Sequence, residues 1–259
     1  MMLDPLHQAL GLLSGGIVGF TLGLVGGGGS ILAVPLIVYL VGVPSPHVAI
    51  GTSALAVAAN AATGLANYAR AGTVKWRCGL MYAGAGVVGA FFGSTAGKAF
   101  DGQKLLFLFA IVMIVVGVLM LRRRRHEGEA GAQCDRGNAG KVLGAGLGTG
   151  GFSGFFGIGG GFLIVPGLIA STGMPMINAV GTSLVAVTAF GLTTAANYAF
   201  SGLVDWLLAG LFIAGGVVGS LVGTRLARRL SSSGQLTSIF AVLIFVVAAY
   251  MLWKSAGAF

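Results

Sequence analysis

The chain states one pattern twice, and this duplication limits the folds open to it more than any other feature. Gly23-Leu-Val-Gly-Gly-Gly-Gly-Ser-Ile-Leu-Ala-Val-Pro35 returns as Gly154-Phe-Phe-Gly-Ile-Gly-Gly-Gly-Phe-Leu-Ile-Val-Pro166. Each copy is followed by Gly-Thr-Ser, at Gly51, Thr52 and Ser53 and again at Gly181, Thr182 and Ser183. Asn67-Tyr68-Ala69 and Trp76 then return as Asn197-Tyr198-Ala199 and Trp206, and Val87-Val88-Gly89 as Val217-Val218-Gly219. This order divides the chain into two homologous halves, residues 1–121 and 141–259, joined by a basic loop over 122–140. An internal duplication in a very apolar chain is the architecture of secondary transporters, which bind substrate between their repeats.

Composition places those halves in a membrane. Hydrophobic residues make up 56% of the chain and charged ones 8%, with a mean hydropathy of +0.96; a soluble domain carries about 25% charged residues. The charges fall in short clusters or near the ends, leaving apolar stretches near the roughly 20 residues that a spanning helix needs. Residues 1–10 lack Lys and Arg, and no small-x-small cleavage site stands out after them, so the first stretch is expected to remain in the mature protein. The net charge of +9 sits at helix ends, which fits the positive-inside rule rather than nucleic-acid binding. The run Arg122 to Arg125 reads as a stop at the cytoplasmic lipid surface. Cys78 and Cys134 show no metal-ligand spacing, and neither a disulfide nor a redox site is expected of them.

The expected fold is an all-α polytopic membrane protein. Each half supplies three spans, near 48–69, 78–97 and 104–121 and then near 178–199, 206–224 and 236–253. Ahead of each trio lies a Gly-interrupted region, 6–41 and 142–171. Cut at its glycines, such a region yields two pieces of about 15 residues, each about 22 Å long and short of the roughly 30 Å hydrocarbon core. Two short pieces with a Gly-rich tip read as a re-entrant hairpin or a split helix. Loop 70–77 carries three cations where its mate 200–205 carries one anion, and 225–235 carries three cations where 98–104 nets one. The basic side therefore swaps between halves, which favours inverted repeats with the central loop in the cytoplasm and both termini outside. A parallel arrangement with four full spans per half competes with it.

Chemistry points to the Gly-rich tips. Gly26, Gly28 and Gly29 ahead of Ser30, with Gly157, Gly159, Gly160 and Gly161, leave backbone amides unshielded by side chains. A half-helix beginning near Ser30 or Gly161 would turn free N–H groups and its positive dipole end toward an anion; close helix packing is the plainer use of such glycines. Thr52, Ser53, Thr182 and Ser183 could donate to an oxyanion or cap their own helices. Asn67 and Asn197 lie farther along the same path, each beside a tyrosine that reads as an interfacial anchor. Asn60 and Thr63 lie nearer mid-helix, with Phe190 and Thr193 as mates, and loss of the Asn argues against a symmetric role. Arg70 and His47 could steer an anion or simply mark the membrane boundary.

What is missing narrows the class further. None of Asp4, Asp101, Glu127, Glu129, Asp135 and Asp205 falls in the middle of an expected span, whereas cation carriers and proton pumps usually need buried carboxylates. No Gly run leads into Gly-Lys-Ser/Thr, so no nucleotide loop is present. No Ser/His/Asp or His/Cys cluster makes a membrane enzyme. No cofactor and no metal are expected; the partners are a small anionic substrate and the lipid bilayer, without nucleic acid, and a homo-oligomer stays open.

A Gly-rich tract running into an apolar Pro segment, then Gly-Thr-Ser, then Asn-Tyr, all duplicated, resembles the TauE/SafE sulfite exporter family, also called toluene sulfonate uptake permeases. The resemblance runs from about Leu10 to Trp253, apart from the central basic loop. It implies a bacterial or archaeal inner-membrane carrier of small sulfur-containing anions such as sulfite, sulfonates or sulfoacetate. The residues themselves reach only a small anion, moved by alternating exposure of a site between the halves. A passive anion channel and a non-transporting membrane subunit that anchors a partner are the other readings.

Overall fold

A computed structural model describes residues 5–122, 134–135, 137–157, 161–230, 242, 245–250 and 253. Gly159, Gly160, most of the basic loop and most of the expected span 236–253 lie outside the described residues. Those described form helices, with no strand among them. In chain order they are α1 (Pro5–Val25), a 3-10 turn (Gly26–Leu32), the short α2 (Ala33–Pro35), a π-helical turn (Leu36–Leu40), α3 (Pro46–Arg70), α4 (Trp76–Ala99), α5 (Gly102–Arg122), α6 (Ala139–Phe156), α7 (Gly161–Thr172), α8 (Met176–Ala199) and α9 (Trp206–Leu230). Among the described residues, five helical stretches are long and apolar enough to cross a membrane, beginning at Pro5, Pro46, Trp76, Met176 and Trp206.

Local signals set several boundaries. Ser45 caps α3 by accepting from the Val48 N–H, with Pro46 in the first turn, where its missing donor costs nothing. Asp101 Oδ1 accepts from the Gln103 and Lys104 N–H groups ahead of α5. Asp205 does the same for α9 through the Leu208 N–H. α3, at 25 residues, is about 37 Å long, whereas α7, at 12 residues, reaches about 18 Å and covers only about half of a bilayer core.

The glycines expected to cut the first region do something else in α1. That helix runs unbroken for 21 residues, longer than the expected 15-residue piece, because Gly11, Gly15, Gly19 and Gly23 form a packing stripe. A methyl group on them would strike, in turn, Leu208, Phe212, Gly216 and Ser220 of α9. The second half repeats the device: Gly146, Gly150 and Gly154 of α6 lie against Tyr82, Gly86 and Ala90 of α4. Without a hydrophobic drive between helices in lipid, such close backbone approach supplies the packing energy. Each half thus seats its first helix on the other half's α9 or α4, and the halves interlock.

These pairings fix the direction of every helix involved. α1 and α9 run parallel, as do α6 and α4. α3 joins the first set, since Thr52 meets Asp205 and Asn60 meets Phe212; α8 joins the second, since Thr182 meets Lys75 and Asn197 meets Ser94. α3 and α8 cross antiparallel, with Gly51 against Leu203, Gly64 against Leu184 and Gly181 against Tyr68. Because α1 and α3 point the same way, residues 26–45 must carry the chain back between them.

The exterior is apolar, and the largely apolar interior also holds buried polar side chains. Phe91, Phe92, Leu80, Val88, Val218 and Val222 are about half exposed or more, while Ser14, Ser30, Thr52, Asn60, Thr182 and Thr194 are fully buried. An outer surface of this kind matches lipid rather than water. Arg70, Lys75, Arg77, Lys141, Arg225 and Arg229 gather at the end where α3 and α9 finish and α4, α6 and α8 begin. Lys98 and Lys104 lie at the opposite end, with Asp101 and Asp205.

One expectation fails here. Cys78 and Cys134 are joined by a disulfide, with Cα atoms 5.3 Å apart. Parallel packing of α6 along α4 is the physical reason. It carries the residues just ahead of α6 over the first turn of α4, where Cys78 stands, and sequence spacing alone does not reveal that approach.

Candidate substrate site at the glycine tips

Gly26 and Gly157 are repeat mates, and both adopt φ of 66°, a left-handed conformation open mainly to glycine. At each the chain leaves a long helix and turns back: α6 ends with the Gly157 N–H donating to the Ser153 carbonyl at 2.9 Å. Neither turn rests on its own half. A side chain at Gly26 would meet Val180 and Ser183 of α8, and one at Gly157 would meet Ile50 of α3. Each tip therefore docks against the other half, in or just before its Gly-Thr-Ser turn.

The first tip is tied there by hydrogen bonds. The Gly27 N–H donates to Ser183 Oγ at 3.1 Å, and Ser183 Oγ donates to the Val180 carbonyl at 2.8 Å. Ser30 Oγ donates back to the Gly27 carbonyl at 2.9 Å. Thr21 Oγ1, which donates to the Val18 carbonyl of its own helix at 2.9 Å, also lies 3.2 Å from the Gly29 carbonyl, and Gly29 packs on the Thr21 and Leu22 backbone. All residues from Gly26 to Ser30, Gly28 included, are buried. Ser53, the mate of Ser183, donates to the Ile50 carbonyl at 2.9 Å. The two tips also meet: Gly161, at the start of α7, lies against the Gly27 carbonyl, with no space for a side chain. Gly27, Gly161 and Ser183 thus come together between the halves.

Thr52 and Thr182 have a different occupation. Thr52 Oγ1 accepts from the Asp205 N–H and Thr182 Oγ1 from the Lys75 N–H, each at 2.9 Å. Both threonines are fully buried, and each anchors the loop that precedes a helix of the other repeat, α9 or α4. The two bonds are repeat mates at opposite ends of the α3–α8 pair. Asn178 Nδ2, donating to the Thr73 carbonyl at 2.7 Å, reinforces the one at Lys75.

The asparagines differ from one another. The Asn197 side chain is held by α4: its Nδ2 donates to Ser94 Oγ at 2.6 Å and Thr95 Oγ1 at 2.9 Å, and its Oδ1 accepts from Lys98 Nζ at 2.7 Å. Asn67 Nδ2 is buried without a partner among the described residues. The tyrosines beside them are fully buried within the protein, and the Tyr68 hydroxyl donates to the Gly23 carbonyl at 2.9 Å, just ahead of the first tip. Sequence reasoning passed over Lys98 and Tyr68 as structural partners. A lysine in the last turn of an apolar helix was the available signal for Lys98; nothing local marked the tyrosine's reach.

The arrangement offers backbone amides, hydroxyl groups and the start of a half-length helix between two interlocked repeats, with no carboxylate among these groups. Such a set suits a small anion.

Comparison with known proteins places the chain among membrane transporters. The model of a family described as sulfite exporter TauE/SafE matches residues 11–251. A "Probable membrane transporter protein" of Xylella fastidiosa (strain 9a5c) is 52% identical over 249 residues, covering 93% of this chain and 94% of the relative. "Probable membrane transporter protein YunE" of Bacillus subtilis (strain 168) is 26% identical over 261 residues, covering 92% and 95%. No solved structure matches the chain.

Proposed function

The chain belongs to the sulfite exporter TauE/SafE family of membrane transporters, and on that premise we propose that it is a secondary carrier of a small sulfur-containing oxyanion of the sulfite or sulfonate type. Transport proceeds by alternating exposure of a site between the two glycine tips. The observation that carries the reading is the tip exchange: Gly27 hydrogen-bonds to Ser183 of the other half and touches Gly161 of the other tip. Substrate that enters between the tips separates them, and the Gly27 amide and Ser183 hydroxyl then turn from each other to the anion's oxygens. The amides near Gly161 complete the same shell from the second half, and the hydroxyl of Ser53, the repeat mate of Ser183, completes it from the first.

The opposite directions of α3 and α8, and of α1 and α6, support inverted repeats, so that rocking one half against the other exposes the site to one side at a time. The gathering of Arg70, Lys75, Arg77, Lys141, Arg225 and Arg229 at one end supports placing that end in the cytoplasm of a bacterial or archaeal inner membrane. Thr52 and Thr182 hold the interface and Asn197 holds α4, so these three position the site.

The test is anion binding to purified protein, read as thermal stabilisation in detergent with sulfite, thiosulfate, a sulfonate, sulfate and chloride. A ligand that binds only the native state raises stability with the logarithm of its concentration over Kd. Selective stabilisation by one sulfur oxyanion, lost in Ser183→Ala but retained in Thr182→Val, is the expected result. Equal responses to chloride and sulfite, or a full response in Ser183→Ala, would overturn the site.

A further inference from the structure

The Cys78–Cys134 disulfide lies at the basic end of the molecule, the end assigned above to the cytoplasm, where thiols are ordinarily kept reduced and a disulfide is transient, catalytic or sensing. It lines a cavity of about 250 Å³ together with Val74, Lys75, Trp76 and Arg77. A water's share of liquid volume is about 30 Å³, so a small oxyanion fits with hydration to spare. Cys78 and Cys134 are 1% and 2% exposed, which leaves the cavity as their approach from solvent. Two cations at its wall draw a dianion toward a sulfur–sulfur bond.

We propose that this disulfide is a covalent, reversible capture site for sulfite, the cargo class assigned above, on which the inference rests. The sulfite sulfur uses its lone pair to attack Cys134 Sγ and forms a new S–S bond there. The Sγ–Sγ bond breaks, and its electron pair leaves on Cys78 as a thiolate. The products are S-sulfocysteine at 134 and a thiolate at 78. Sulfite itself supplies the electron pair, so the step needs no other reductant and moves no proton. Return attack by the Cys78 thiolate on Cys134 Sγ expels sulfite and restores the disulfide.

The direction of attack follows from the fold. Cys78 is the third residue of α4, where the free amides and positive end of a 24-residue helix stabilise a thiolate, and Lys75 and Arg77 flank it. A thiolate stabilised by that helix end and by the two cations is the better leaving group, so Cys78 departs and Cys134 keeps the sulfonate. Cleavage frees the linker from the first turn of α4. The Lys75 N–H just ahead of that turn donates to Thr182 of the other repeat, so the bond links cytoplasmic sulfite to the contact between the halves.

The experiment exposes the intact purified chain to sulfite, or to sulfate at equal ionic strength, then traps free thiols with a maleimide and maps both cysteines by peptide mass spectrometry. The expected result is one added SO3 at Cys134 and one maleimide at Cys78, with both modifications absent if sulfite is dialysed away before trapping. No adduct at sulfite concentrations that saturate transport, a sulfonate on Cys78, or equal labelling with sulfate would each overturn it. Sulfite flux into proteoliposomes, measured on the same preparation, separates the two readings. Flux without adduct rejects only the capture site, and adduct without flux rejects the carrier while the reactive disulfide stands.

Discussion

Changing Thr182 to Val removes the acceptor of the Lys75 N–H while keeping the shape of the side chain. The bond is 2.9 Å long and the threonine is fully buried. A buried donor left without a partner costs about 1–3 kcal/mol in general, while interhelical hydrogen bonds measured in a membrane protein average about 0.6 and reach about 1.7 kcal/mol. The loop position of Lys75, near the membrane boundary, favours the lower range, so Thr182→Val is expected to lose about 1 kcal/mol. Thr52→Val removes the repeat-related bond to Asp205 and should lose a similar amount. The two sites lie at opposite ends of the α3–α8 pair, so the double variant should lose about 2 kcal/mol, additive within about 0.5. Equilibrium unfolding in detergent, with and without sulfite, reads both quantities. At a hundredfold excess over Kd, sulfite adds about 2.7 kcal/mol, and this increment should be the same in all four proteins. Variants with wild-type stability that lost the sulfite increment would refute the reasoning and make the threonines ligands rather than staples.

Other outcomes follow from the packing and the caps. Gly150→Leu drives a side chain into the Gly86 carbonyl, whereas Gly148 faces open space; the first variant should fail to yield monodisperse protein in size-exclusion chromatography, and Gly148→Leu should behave as wild type. Asp101 is held below the usual carboxylate range, chiefly by the Lys104 N–H, with the Gln103 N–H and the positive charges of Lys104 and His47 adding to it against a desolvation penalty. A carboxylate with a depressed folded-state pKa stabilises above its unfolded pKa, and the effect is lost as pH falls through the folded value. Asp101→Asn should therefore lower the unfolding temperature at neutral pH, and the difference should close once the medium is more acidic than the carboxylate range.

Much of the helical layout was legible from hydropathy and duplication. The spans expected near 48–69, 78–97, 104–121, 178–199 and 206–224 correspond to α3, α4, α5, α8 and α9, longer at their ends mainly because caps such as Ser45 and Asp101 lie outside the apolar stretch. The glycines were harder to read. Gly15 and Gly19 look like Gly26 in a sequence, but the first two pack against α9 while the third turns the chain, and only the partner helix distinguishes them. The same limit applies to the site. Gly-Thr-Ser recurs in each half, yet both threonines staple a loop of the opposite repeat and Ser183 bonds the tip of the opposite repeat. Local pattern carries no information about that exchange. Cys78 and Cys134 illustrate it most sharply, since the parallel course of α6 along α4 brings together two residues that nothing in their spacing relates.

Counterflow in proteoliposomes tests the central claim most directly. Vesicles containing the purified protein are loaded with unlabelled sulfite, and entry of labelled sulfite is followed against vesicles loaded with sulfate. Alternating exposure of one site predicts saturable entry that internal sulfite accelerates, because the loaded carrier returns to face outward. Entry that rises linearly with concentration and ignores internal sulfite would contradict the account and make the protein a channel.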